Sequence, residues 1–147
     1  MKKTLIAYSS RTKKTETMAN YIAEGIRLSG CEVEVKPISA IENEEGISGY
    51  DCYVFGCPTY HKDMTGGMKQ FLFKAQQAQL VGKFGGAFGS HTHSGESAPM
   101  IFETMQHVFK MDMTDLGPLN LTEEMVVSDE GLKACQAYGK ALAEKLA

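Results

Sequence analysis

Short apolar runs alternate with amphipathic helical stretches along the chain, and this alternation constrains the fold more than any other feature of the sequence. Runs typical of buried strands occupy residues 4–8, 50–56 and 83–89, and residues 31–37 alternate with period two. The helical stripes lie at residues 18–26, 68–75, 100–109 and 132–146. Strands that alternate with helices of this length predict right-handed βαβ units and a mostly parallel sheet. We expect an α/β fold with five strands and helices on both faces.

The fifth strand has the weakest signal in the sequence. Residues 111–121 contain enough apolar side chains for a strand, but Gly117 and Pro118 interrupt them. Glycine followed by proline is typical of a turn. We therefore expect one strand and a turn in this region.

Length and charge exclude several classes of protein. The chain has 147 residues, and a domain averages about 150, so we expect a single domain over residues 1–147. Lys and Arg number 15 against 18 Asp and Glu, and the resulting charge of −3 argues against nucleic acid as a partner.

No run of about 18 apolar residues is present, and the N-terminal apolar stretch is too short for a signal peptide. We expect a cytoplasmic protein without a membrane partner.

The cysteine pattern favours ordinary reduced thiols. Cys31, Cys52, Cys57 and Cys135 form no Cys-x-x-Cys pair, and no Cys/His spacing matches a zinc site. We predict that these side chains pack as small apolar groups. A redox-active thiol pair stays open as the alternative.

Polar segments follow three of the predicted strands, at residues 9–15, 57–63 and 90–97. In open parallel sheets, ligands bind beyond the carboxyl ends of the strands. The first segment combines hydroxyls and cations just before a helix, where free N–H groups and the helix dipole favour an anion. We predict a phosphate site there, formed by Ser9, Ser10, Arg11, Thr12, Lys13, Lys14 and Thr15. The alternative is a helix cap beside a solvated run of charges.

This first segment resembles the phosphate loop of the flavodoxin family, whose pattern is Ser/Thr-x-Thr-Gly-x-Thr followed by a helix. Ser10, Thr12 and Thr15 fall on the hydroxyl positions of that pattern. Lys13 stands where the family usually has glycine. If that position needs a positive φ, Lys13 either forces a different turn or is strained by about 1–2 kcal/mol.

The other two polar segments resemble the same family. The sequence from Gly56 to His61 is similar to the Gly-x-Pro-Thr-Tyr loop of flavodoxin-like proteins, with the flavodoxin domains of flavodiiron proteins as the nearest likeness. The sequence from Phe88 to Glu96 is similar to their Phe-Gly-Ser-x-x-x-Ser-Gly-Glu segment. The resemblance implies a three-layer sandwich with strand order 2-1-3-4-5 and bound FMN. It implies that the flavin contacts Pro58, Thr59, Tyr60, His61, Ser90, His91, Thr92, His93 and Gly95.

Two histidines in the third segment raise the question of a metal. His91 and His93 form an His-x-His pair, but no carboxylate or Cys set accompanies them. We expect no metal site.

The resemblance implies an electron carrier that binds FMN and uses no catalytic side chain. Its partners would be a reductase or an iron–sulfur donor, and an acceptor enzyme. The alternative is a flavodoxin-like NAD(P)H-dependent quinone oxidoreductase, although 147 residues leave little room for the extra segments of that class. A descendant that has lost the flavin and only binds partners is a third possibility. A dinucleotide-binding domain is unsupported, because no Gly-x-Gly-x-x-Gly follows a strand.

Overall fold

The computed structural model describes residues 2–146. The strands are β1 (Lys3–Tyr8), β2 (Glu32–Pro37), β3 (Cys52–Gly56), β4 (Phe84–His91), β5 (Asp112–Met113) and β6 (Leu119–Thr122). The helices are α1 (Lys14–Leu28), α2 (Gly66–Gln77), α3 (Ser97–Glu103), α4 (Glu123–Val126) and α5 (Asp129–Leu146). The chain between β2 and β3 forms two 3₁₀ turns, Ile38–Ala40 and Glu44–Gly46.

The strands form one parallel sheet of order β2-β1-β3-β4-β5, and β6 also pairs with β4. The expected α/β fold and the order 2-1-3-4-5 are therefore confirmed. β1, β3 and β4 are almost wholly buried, whereas β2 at the edge is half-exposed. The difference in burial arises because helices cover both faces of the inner strands of a parallel sheet.

The two faces of the sheet carry separate apolar cores. Leu5 belongs to the core under α2 and α3, and Ile6 belongs to the core under α1 and α5. Successive side chains of a strand point to opposite faces, so each inner strand contributes to both cores. The apolar stripes of the helices, predicted from the sequence, pack against these two faces of the sheet. Ile22 of α1 and Phe71 of α2 are buried there.

The fifth strand differs from the expectation of one strand over residues 111–121. β5 pairs with the first residues of β4, and β6 pairs with its last four, from Phe88 to His91. Between them the chain leaves the sheet and turns at Gly117, whose φ is +74°. Pro118 cannot donate a ladder hydrogen bond, which explains why the pairing resumes only after it.

β4 is longer than the sequence predicts. The sequence pattern places Ser90 and His91 in the loop, but both are strand residues that pair with Leu121 and Thr122. Ser90 is fully buried. The pairing of β4 with β6 therefore holds the first two residues of the third polar segment in the sheet.

Candidate functional site

Three loops meet at the carboxyl edge of the sheet: the first loop (residues 9–13), the second loop (residues 57–65) and the third loop (residues 92–96). The backbone ties them to neighbouring strands. The Ser9 N–H donates to the Gly56 carbonyl at 3.0 Å, and the Thr59 N–H donates to the Ser90 carbonyl at 3.0 Å. The three predicted segments are thus neighbours in space.

Lys13 adopts a left-handed conformation immediately before α1. Its φ is 67° and its ψ is 2°, and its side chain does not cap the helix. The backbone therefore takes the positive φ that glycine would favour, at a cost of about 1–2 kcal/mol for a lysine. A left-handed residue before a helix turns successive N–H groups towards one point, which is an arrangement that binds anions.

The hydroxyls of Ser10, Thr12 and Thr15, at the three hydroxyl positions of the family pattern, have different surroundings. Thr12 Oγ1 donates to Glu123 Oε2 at 3.2 Å, and Thr15 Oγ1 lies 2.8 Å from Ser90 Oγ in a buried pair. Within residues 2–146, Ser10 Oγ is buried and has no hydrogen-bond partner. Buried hydroxyls are nearly always paired, so an unpaired one beside a helix N-terminus fits an oxygen of a bound phosphate.

Two clefts meet at Tyr60. The loop cleft, of about 500 Å³, lies between the second and third loops. It is lined by Thr12, Pro58, Thr59, Tyr60, His61, Lys62, Thr92, His93, Ser94 and Glu123. The helix cleft, of about 580 Å³, lies between the first loop and the N-terminus of α2. It is lined by Ser9, Ser10, Arg11, Tyr60, His61, Asp63, Met64, Thr65, Gly66, Gly67 and Lys69.

Tyr60 is held at the start of a tight turn. Tyr60 and Asp63 exchange two backbone hydrogen bonds of 2.9 Å. The residues between them, His61 and Lys62, have φ values of 50° and 62°. This is the pattern of a two-residue hairpin turn with both central residues left-handed, a conformation usually built with Asn and Gly.

Asp63 anchors the other side of that turn. Its carboxylate accepts the Met64 N–H at 2.7 Å and forms an ion pair with Lys69. The hydrogen bond from Lys69 lowers the pKa of Asp63, because it favours the charged form of the carboxylate. The turn is therefore tied to α2, which carries Lys69.

A hydroxyl network joins the second loop to α3. Thr59 Oγ1 donates to Ser97 Oγ at 2.8 Å, and Ser97 Oγ donates to the Cys57 carbonyl at 3.0 Å. Burial raises the pKa of the Cys57 thiol to about 11, so this thiol is neutral at physiological pH. Cys57 therefore packs as an apolar group and offers no thiolate to the site.

Asn120 organises the third loop, and sequence reasoning missed it. The Asn120 side chain donates to the Gly95 carbonyl at 2.7 Å, and its oxygen lies 3.1 Å from His91 Nδ1. A Cβ on Gly95 would lie 2.3 Å from the Asn120 amide nitrogen, so glycine is required for this close approach. Asn120 belongs to β6, and only the pairing of β6 with β4 brings it here.

The predicted site residues separate into two groups. Ten of them line one of the two clefts: Ser9, Ser10, Arg11, Thr12, Pro58, Thr59, Tyr60, His61, Thr92 and His93. The remaining six do not line either cleft: Lys13, Lys14, Thr15, Ser90, His91 and Gly95. Glu123, in the wall of the loop cleft, is absent from the predicted set, because it enters from α4 at the far end of the sequence.

Comparison with known proteins identifies the family. A family model for flavodoxins matches residues 6–139. The chain belongs to the flavodoxin family. Proteins of this family bind FMN and transfer electrons to redox partners. The resemblance to the flavodoxin family is thereby confirmed.

Curated relatives include a flavodoxin and a quinone dehydrogenase. A flavodoxin from Clostridium saccharobutylicum is 28% identical over 162 aligned residues, covering 96% of this chain and 95% of that protein. An NAD(P)H dehydrogenase (quinone) from Cupriavidus metallidurans is 29% identical, covering 80% of this chain and 71% of that protein. The flavodoxin relative therefore matches along nearly its whole length, and the dehydrogenase matches along less.

Solved structures agree with this assignment. A flavodoxin from the domain Archaea superposes with a TM-score of 0.88 at 26% identity, and the match covers 98% of both chains. The flavodiiron protein from Giardia intestinalis gives a TM-score of 0.88 at 21% identity, covering 99% of this chain and 36% of that one. The second likeness concerns the fold alone. No helix among residues 2–146 is both long and apolar enough to cross a membrane.

Proposed function

We propose that this chain binds FMN at the carboxyl edge of its sheet and works there as an electron carrier. The observation that carries the proposal is the buried Ser10 hydroxyl, which has no partner within residues 2–146 and lies beside the N-terminus of α1. Such a group is suited to an anionic oxygen. FMN has a phosphate at one end and a flat aromatic ring at the other, and the chain offers a place for each.

The phosphate end is assigned to the first loop. Ser10 donates its hydroxyl, and the free N–H groups of the first turn of α1 add further donors. Lys13 and Lys14 contribute positive charge at the same helix end, where an anion is favoured. The buried hydrogen bond between Thr15 and Ser90 ties the end of this loop to β4.

The ring end is assigned to the loop cleft. Tyr60 offers an aromatic face on one side, where an offset stack contributes about 0.5–1.5 kcal/mol beyond the area it buries. Thr92 and His93 of the third loop form the opposite wall. The cleft volume of about 500 Å³ lies within the range of pockets that hold cofactors.

The role of the protein follows from this arrangement. FMN, when bound, supplies the redox chemistry. The chain binds and orients the cofactor, and Pro58 and Tyr60 exclude water from one face of the ring. We propose that a reductase or an iron–sulfur donor delivers electrons and that an acceptor enzyme receives them.

A second candidate is an NAD(P)H-dependent quinone oxidoreductase, and the 29% identity to the quinone dehydrogenase favours it. The two candidates differ in what reduces the bound flavin. We would mix the FMN-loaded protein with NADPH, and separately with NADH, under anaerobic conditions, with and without a flavodoxin reductase, and follow the flavin absorbance. An electron carrier is reduced only when the reductase is present. Rapid reduction by NADPH or NADH alone would instead establish the oxidoreductase.

A further inference from the structure

Arg11 lies against the aromatic ring of Tyr60. Its guanidinium carbon is 4.7 Å from the ring centroid, which is within the range of a cation–π contact. Tyr60 lines both clefts, whereas Arg11 lines the helix cleft and is not part of the wall of the loop cleft. The guanidinium thus contacts the Tyr60 ring from the helix cleft, and the loop cleft meets the helix cleft at this same tyrosine.

No ion pair within residues 2–146 accounts for the position of Arg11. Asp63 is the acidic residue that lines the helix cleft, and Lys69 already holds its carboxylate. Across residues 2–146, no carboxylate lies within ion-pair distance of the Arg11 guanidinium. The ring is thus the observed partner of this cation, and guanidinium stacks on aromatic faces better than an ammonium does.

Tyr60 needs support of this kind. It is half-buried, and the next two residues, His61 and Lys62, are held in left-handed conformations without glycine. A ring at the start of a strained turn loses rotational freedom when a flat ligand stacks on it. A group that already fixes the ring reduces that entropic cost and so increases affinity.

We propose that Arg11 is a positioning residue for the flavin ring, acting through Tyr60, and that it does not serve as a phosphate ligand. The inference rests on the proposed function, because it places the ring of FMN in the loop cleft. A positive charge behind Tyr60 also favours the more electron-rich reduced flavin over the oxidised form. Arg11 therefore affects both the affinity for the ring and the reduction potential.

Riboflavin separates this role from phosphate binding, because it has the same ring and no phosphate. We would titrate the full chain, freed of flavin, with riboflavin and with FMN, following flavin fluorescence in 0.5 M salt to screen distant charges. Arg11→Met should weaken riboflavin binding by roughly two- to fivefold, because Arg11 is exposed and this is the range of an exposed cation–π contact. The matched control is Arg27→Met, which removes the other arginine, exposed at the far end of α1.

A double-mutant cycle tests whether Arg11 acts through the ring. In a Tyr60→Leu background, Arg11→Met should no longer change riboflavin affinity, because the ring that it supports is gone. Arg11→Lys should recover part of the loss, since a lysine keeps the charge but stacks less well. The potential of bound FMN should shift to a more negative value in Arg11→Met and stay unchanged in Arg27→Met.

The outcomes are distinguishable. If Arg11→Met weakens FMN binding but leaves riboflavin binding unchanged, Arg11 serves the phosphate and the inference is overturned while the proposed function stands. Equal losses in the Tyr60 and Tyr60→Leu backgrounds would also overturn it. If the unmodified chain binds neither flavin, the proposed function itself is wrong and the inference goes with it.

Discussion

Lys13 occupies a position of the first loop where the backbone requires a positive φ. Its φ of 67° is sterically unfavourable for any residue with a Cβ, by about 1–2 kcal/mol. Glycine removes that strain but has greater entropy in the unfolded chain, which offsets part of the gain. We therefore expect Lys13→Gly to raise the free energy of unfolding by about 0.5–1 kcal/mol, measured by urea denaturation.

The matched control for this prediction is Lys133→Gly. Lys133 is an exposed residue of α5, where glycine lowers stability by about 0.5–1 kcal/mol. The two identical substitutions should change stability in opposite directions. A loss of stability in both variants would contradict the strain assigned to Lys13.

Ser10 is the second residue whose role can be tested by itself. Hydrogen bonds to charged groups contribute about 1.5–3 kcal/mol, so Ser10→Ala should weaken FMN binding by roughly ten- to a hundredfold. Riboflavin binding should not change, because riboflavin lacks the phosphate. Isothermal titration with both flavins measures the two constants, with Ser29→Ala at the other end of α1 as a control. Equal losses for both flavins would place Ser10 against the ring instead.

At the scale of elements, the crossing of α1 and α5 depends on two glycines. A Cβ on Gly139 would lie 2.0 Å from the Ile22 carbonyl oxygen, and one on Gly25 would lie 2.1 Å from the Gln136 carbonyl oxygen. Each glycine thus lets the backbone of one helix approach the backbone of the other. The obstructing atoms are main-chain atoms, so a side-chain rotation cannot relieve the clash.

Gly139→Ala should therefore lower the free energy of unfolding, even though alanine is the better helix former. Overpacking of this kind costs about 1–3 kcal/mol, because the two helices must move apart. Gly66→Ala is the contrasting variant, since a Cβ at the start of α2 would meet no atom of residues 2–146 within 4 Å. Chemical denaturation should show a clear loss for Gly139→Ala and little change for Gly66→Ala. Similar midpoints for both would refute the close crossing.

Some elements of the fold can be predicted from the local sequence, and others cannot. α1 and β1 carry strong local patterns, so the amino-acid sequence alone suffices to locate the first loop between them. The division of the fifth strand into β5 and β6 depends on pairing with β4, which leaves little trace in the local sequence. The local sequence does not reveal Asn120 for the same reason. Its side chain reaches the Gly95 carbonyl only because β6 pairs with β4.

The backbone conformation of the second loop is the other feature that the sequence does not predict. Sequence reasoning expects glycine or asparagine where φ is positive, yet His61 and Lys62 both adopt such values. The two hydrogen bonds between Tyr60 and Asp63 and the ion pair of Asp63 with Lys69 hold the turn in place. These are tertiary contacts, and a local pattern cannot reveal them.

At the scale of the whole molecule, acid should weaken the fold partly through Glu34. Lys3 lies 2.6 Å from its carboxylate, and the hydrogen bond from Lys3 lowers the pKa of Glu34 from 4.5 to about 2. The folded-state pKa is below the unfolded one, so the stabilisation is complete above about pH 4.5 and is lost as the pH falls towards 2. The carboxylate is more than a third exposed, so solvent screening keeps the contribution below about 1 kcal/mol.

Glu34→Gln tests this dependence. The variant should be less stable than the unmodified chain at pH 7, and the difference should shrink as the pH approaches 2. Thermal unfolding at a series of pH values measures it, with the exposed Glu42→Gln as a control. A difference that persists unchanged at pH 2 would show that the carboxylate charge is not responsible.

The central claim is that the first loop holds the phosphate of FMN while Tyr60 and the third loop hold its ring. The most direct measurement is a fluorescence titration of the flavin-free chain with FMN, with riboflavin in parallel. We predict that FMN binds more tightly than riboflavin by roughly a hundredfold or more, because charge-assisted hydrogen bonds form only with the phosphate. Equal affinities for the two flavins, or no binding of either, would contradict the account.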